Sequence, residues 1–124
     1  MSREAVCSIH TAPKLYAVGR ADLSPGLRVA QMFHALRQYA SEYPFVESEW
    51  FRNSNTIVLL EAPDGEALSD LASRARAKGV TVTEFSEPDF LDVGLTALAL
   101  GPDARKLVSS LPLALRDPHP PTGG

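Results

Sequence analysis

The chain has 124 residues, 44% of them hydrophobic and 22% charged, with a net charge of −3. That length suits one domain and that composition one packed core, whereas the negative balance is unlike dedicated nucleic-acid binders, which are usually basic because neutralised phosphates release counterions. No apolar run approaches the ~18 residues of a membrane helix, the stretch from Met1 to Cys7 is not apolar enough for a signal peptide, and Cys7 is the only cysteine, so a cytoplasmic protein without an internal disulfide is expected.

Residues 1–11 lack hydrophobic periodicity and read as a loose leader to a domain spanning 12–116. Lys14-Leu15-Tyr16-Ala17-Val18 is a short apolar run with a Gly-Arg exit, the pattern of a buried strand. Ser24 then offers an N-cap hydroxyl and Pro25 stands at the first helical position, where its missing N–H costs nothing. This helix is expected to run to about Glu42, before Pro44. On a helical wheel Val29, Met32, Phe33, Leu36, Ala40 and Tyr43 form an apolar stripe, with Gln31, His34 and Gln38 opposite it. Pro44 to Asn55 reads as a connector, and Thr56 to Leu60 as a second buried strand.

Asp64 caps the next helix, whose Ala67, Leu68, Leu71, Ala72 and Ala75 share one face and which Gly79 ends. Val80 to Thr83 alternates as a half-buried strand does, and an acidic loop follows from Ser86 to Val93. Leu95 to Leu100 is the last strand, and Gly101-Pro102 leads into a short helix from Asp103 to about Leu111. Residues 117–124, with three prolines and two glycines, cannot bury apolar area and read as a disordered tail. The order β-α-β-α-β-β-α implies a single three-layer α/β domain: a four-stranded, mostly parallel or mixed sheet with helices on both faces.

Generic catalytic signatures are absent. His10, His34 and His119 are far apart in sequence and form no metal-ligand spacing, so neither a metal nor another cofactor is expected. No phosphate loop and no Gly-x-Ser-x-Gly elbow occurs. His34 is either a solvated helix histidine or, with Gln31 one turn earlier, a proton-handling group beside an amide that holds a carbonyl or a water. Arg20 and Asp22 are either a turn ion pair or part of a ligand site at a strand end, where open α/β sheets usually bind. Glu87, Asp89 and Asp92 are either a solvated acidic turn or the source of a carboxylate that orients His34. Arg74, Arg76 and Lys78 lie in the last turn of their helix, where cations complement the dipole.

Two segments carry a resemblance. Arg20-Ala21-Asp22-Leu23 ends the first strand, and Gly26-Leu27-Arg28-Val29-Ala30-Gln31-Met32-Phe33-His34-Ala35 opens the helix after it. In this order, with Pro63-Asp64 before one helix and Thr96-Ala97-Leu98-Ala99-Leu100-Gly101-Pro102 before the last, the chain resembles the type-2 peptidyl-tRNA hydrolase family from Lys14 to Leu115. The resemblance implies hydrolysis of the ester between a peptide and the 3′ ribose of tRNA, with His34, Gln31 and Asp89 as catalytic residues. It assigns substrate binding to Arg20, Asp22, Arg28 and Thr96, and implies peptidyl-tRNA as partner, no cofactor, and a homodimer to which Tyr39, Tyr43, Trp50 and Phe51 would supply an apolar patch. The family's helix lysine falls on Leu27 here, and its Asp-x-Gly-x-Thr loop becomes Glu87-Pro88-Asp89 with a shorter connection. The lost lysine and the negative net charge support the alternative of a non-catalytic relative that binds RNA, a peptide or a protein partner through the same face.

Overall fold

β1 (Lys14–Arg20) alternates strictly between two buried environments, and that alternation sets the layering of the molecule. The computed structural model describes residues 12–116, so the leader, Cys7 and the tail from residue 117 lie outside the described residues. After β1 come α1 (Pro25–Glu42), α2 (Pro44–Asn53), β2 (Thr56–Ala62), α3 (Gly65–Ala77), β3 (Val82–Phe85), a 3-10 helix over Pro88–Val93, β4 (Ala97–Leu100) and a 3-10 turn over Pro102–Ala104.

The sheet order is β2-β1-β4-β3. β1 pairs parallel with β2, from Lys14 opposite Thr56 to Arg20 opposite Ala62, and β4 runs antiparallel to both β1 and β3. Three strands therefore point the same way and β4 opposes them. The expected mixed sheet is present, but not a mostly parallel set of pairings: a connection without a crossover helix returns β4 beside β3, which an antiparallel pair permits.

Leu15 and Ala17 of β1, with Ala97 and Ala99 of β4, face Met32, Ala35, Leu36 and Tyr39 of α1 and Trp50 of α2. Tyr16, Val18, Leu98 and Leu100 face the opposite layer, built from Leu68, Leu71, Ala72 and Ala75 of α3 and from Ala104 and Val108. The Ala-Leu-Ala-Leu sequence of β4 thus presents small residues to α1, letting it approach closely, and large ones to α3.

Three expectations are corrected. Residues 44–53 form a helix rather than a connector: Pro44 not only ends α1 but starts α2, with its ring at the first turn, and Trp50 is the one buried residue of α2, its indole N–H donating to the Thr56 carbonyl. The final helix shrinks to a 3-10 turn and successive i→i−3 and i→i−4 turns up to Ser110. Beyond it, Pro112 and Ala114 hydrogen-bond Glu61 and Leu59 on the free edge of β2, at 3.1 and 2.9 Å, and so cover an exposed sheet edge. Finally, the buried arc of α1 is rotated relative to the sequence wheel: Gln31 is 1% exposed and Phe33 is 56% exposed. Among the described residues no helix is long and apolar enough to cross a membrane.

Candidate functional site

Gln31, Thr96, Phe85, Glu87 and His34 meet where α1 crosses the ends of β3 and β4. Thr83, Phe85 and Glu87 alternate with Val82 and Glu84, so the odd-numbered set faces α1. Thr83 donates to Glu42 at 2.6 Å, Phe85 stacks on His34 with ring centres 5.0 Å apart, and Glu87 accepts from Gln31. Gln38 of α1 and Tyr43, its C-cap, donate to the Glu84 and Val82 carbonyls, at 3.5 and 3.2 Å. α1 therefore lays a polar seam along the outermost strand.

The Gln31 amide is held from both ends. Its Nε2 donates to Glu87 Oε1 at 2.7 Å, and its Oε1 accepts from Thr96 Oγ1 at 2.5 Å. A carboxylate only accepts, so the amide NH2 must face Glu87 and its carbonyl must face the threonine. Thr96 Oγ1 also lies 3.1 Å from the Phe85 carbonyl, which ties the start of β4 to the end of β3. Gln31 and Thr96 are buried and Glu87 is half-buried, and a satisfied polar chain of this kind specifies one geometry. It fixes Glu87 at the rim while leaving its second carboxylate oxygen without a partner among the described residues.

His34, one turn after Gln31, is exposed, and its ring nitrogens have no partner among the described residues. Asp89 is exposed in the first turn of the 3-10 helix and bonds to none of the other candidate residues. The carboxylate that the structure attaches to the Gln31 network is Glu87, two positions earlier. The sequence signal for it was the acidic loop itself; what was missing was the parity that puts residue 87 on the same side as Phe85.

The two arginines have structural partners. Arg20 grips Asp22 through Nε and Nη2, at 2.9 and 2.8 Å, while its Nη1 donates to the Val93 and Leu95 carbonyls, at 2.5 and 3.1 Å. Four of its five N–H donors are thereby engaged, and the hydrogen bond from Arg20 holds the Asp22 carboxyl below the usual carboxylate range. A Cβ on Gly65 would stand 3.1 Å from this guanidinium, so the start of α3 comes close to it.

Arg28 points inward. Its Nη1 pairs with Glu61 at 3.0 Å and its Nη2 donates to the Ala21 and Leu23 carbonyls, at 2.9 and 2.7 Å, which fastens the turn after β1. A Cβ on Gly19 would meet Arg28 Cγ at 2.9 Å, so glycine lets the helix sit against the strand. The Arg28–Glu61 pair, like the Gln31–Glu87 link, spans a long stretch of sequence and has no local signature. Among the described residues no group of three or more His, Cys, Asp or Glu side chains is placed to hold a metal.

A family model for Peptidyl-tRNA hydrolase PTH2 matches residues 14–116, nearly the whole described structure. The chain belongs to the PTH2 peptidyl-tRNA hydrolase family. Its fold is also similar to that of a solved protein of unknown function from Agrobacterium tumefaciens strain C58, with a TM-score of 0.61 and 14% identity over 82% of this chain and 97% of that one. At that identity the likeness speaks for the fold alone. No curated protein matches the chain. Within this PTH2 chain, the residues expected from the sequence, Asp89 apart, fall into two groups. His34, Gln31 and Thr96 converge on one corner with Glu87, and Arg20, Asp22 and Arg28 brace the turn and loop beside it.

Proposed function

We propose that the protein hydrolyses the ester joining a peptide to the terminal ribose of tRNA. The observation that carries this reading is the pairing of an exposed histidine with a buried amide and hydroxyl, one helical turn away, that hold a half-buried carboxylate, in a member of the PTH2 family. A buried polar network stabilises little compared with an apolar core of the same shape, so its presence under an exposed His34 fits a positioning role.

In this reading a water attacks the ester carbonyl carbon and gives its proton to the imidazole of His34. The carbon–oxygen bond to the ribose then breaks, the proton returns from His34 to the leaving oxygen, and the products are a free peptide acid and deacylated tRNA. Glu87, held by Gln31, orients the water or the imidazolium; its fixed position makes it a better candidate than Asp89. Arg20 and Arg28 act as positioning residues through the loops they fasten. No metal or other cofactor enters the scheme.

The test is release of peptide from peptidyl-tRNA. Wild-type protein cleaves, and His34→Ala slows cleavage about 10²–10⁴-fold, the usual worth of a general acid–base group. Wild-type protein that leaves the ester intact removes the hydrolase reading. The commitment of Arg20 and Arg28 to ion pairs and backbone carbonyls favours a second reading, a non-catalytic relative that binds RNA or a protein through the same face, because no arginine of the pair is left mainly for a developing oxyanion.

A further inference from the structure

The opposite end of the molecule carries a cationic groove that the candidate site does not use. It lies between the C-terminal turn of α3 and the turns after β4, has a volume of about 520 Å³, and is lined by Arg74, Lys78, Val80, Asp103, Lys106 and Leu107, with Ser110. β3 starts and β4 ends here, whereas His34 and Gln31 sit where β3 ends and β4 starts. The groove is also on the α3 side of the sheet, not the α1 side.

The helix dipole accounts for Arg74 in the last turn of α3 and Lys78 at its C-cap. It does not account for Lys106, which arrives from a different segment and faces the same groove. Lys78 and Lys106 are exposed and have no ion-pair partner among the described residues. Arg74 gives its Nε to Asp70 at 3.1 Å, which leaves its Nη groups without a partner among those residues. Asp103, the one anionic lining group, is turned to Thr81, accepting from its amide at 3.4 Å and its hydroxyl at 3.3 Å. Cations from two chain segments thus converge on an open concavity in a protein whose net charge is −3. Such convergence raises local anion concentration even on an acidic body.

We infer that this groove binds the phosphate backbone of RNA, as a docking site separate from the corner around His34. The inference takes its choice of polyanion from the proposed action on peptidyl-tRNA. Lys78 and Lys106 contact phosphates as mobile point charges, Arg74 through its free Nη groups, and the Ser110 hydroxyl is available to a phosphate oxygen. Contacts of this kind fix position without reading base sequence.

The experiment measures binding of a hairpin RNA by the full chain across a salt series, with K78A/K106A as the variant and Arg52→Ala, on α2, as the control. Each lost phosphate contact removes roughly one unit from the slope of log affinity against log salt. The double variant is expected to lose about two units of slope and at least about tenfold in affinity at low salt, while the control keeps both. Both lysines are exposed, and an unchanged thermal midpoint confirms folding of the variant. Unaltered slope and affinity in K78A/K106A, or wild-type protein that does not bind the hairpin at low salt, overturns the inference. Peptidyl-tRNA cleavage is measured alongside. Salt-dependent binding lost in the double variant, with no cleavage by wild type, keeps the groove and removes the hydrolase reading; cleavage with unaltered binding in the variant does the reverse.

Discussion

Gln31 is buried beneath His34 with both ends of its amide hydrogen-bonded. Its burial makes it a structural member of the molecule as well as a site residue. Gln31→Ala empties a buried position, takes away the donor to the Glu87 carboxylate and leaves the Thr96 hydroxyl only the Phe85 carbonyl. Losing a buried hydrogen-bonding group of this kind costs about 1–3 kcal/mol. Both Gln31→Ala and Thr96→Val are therefore expected to lower the urea midpoint, whereas His34→Ala, at an exposed position, leaves it near wild type. Equal midpoints for Gln31→Ala and wild type would contradict the burial.

Tyr39 gives a second residue-scale test. Burial pushes its phenol up to about 12; the hydrogen bond with Thr81 opposes this shift, and Asp103 adds to it. The folded protein thus holds this proton more tightly than the unfolded chain does. Tyr39 stabilises fully below pH about 10, and that contribution is lost as pH rises from there to about 12. Urea titrations across this range should show a falling stability that is shallower in Tyr39→Phe. Identical slopes for the two proteins would refute the assignment to Tyr39.

At the scale of elements, α2 carries the clearest lesson. Pro44 reads as a stop signal, yet a proline tolerated in a first turn is equally a start signal. A short amphipathic helix with one large buried residue depends heavily on that residue. Trp50 is 5% exposed and anchors α2 to Leu15, Leu36 and the start of β2. Trp50→Ala is expected to cost about 3–5 kcal/mol, with loss of the near-ultraviolet signal of the only tryptophan. A loss below about 1 kcal/mol would mean that the helix is held otherwise. β4 was easier to read, because four successive buried residues between glycine-bearing turns fit only a central strand.

At the scale of the whole molecule, two features keep the sheet from pairing with copies of itself. α1 reaches over the β3 side with Gln38 and Tyr43, and Pro112 to Ala114 cover part of the β2 edge. Uncovered edges invite edge-to-edge association. Truncation after Leu111 is expected to lower the thermal midpoint and to increase association with concentration in sedimentation. A truncated chain with wild-type behaviour in both would show that this segment is dispensable.

Local signals along the chain suffice for the order of β1, α1, β2, α3, β3 and β4: a Ser-Pro helix start, an Asp64 cap, glycine ends and apolar runs of strand length. The family is legible in Arg20-Ala21-Asp22-Leu23, Gln31 and His34 in their order. The buried face of α1 depends on packing in three dimensions, since a glutamine counts as polar on a wheel until Thr96 and Glu87 satisfy both ends of its amide. Only the tertiary structure assigned Arg28 to Glu61 and Arg20 to the carbonyls of Val93 and Leu95. Those partners lie 33, 73 and 75 residues away, and periodicity, which describes near neighbours along the chain, contains no information about pairing at such separations.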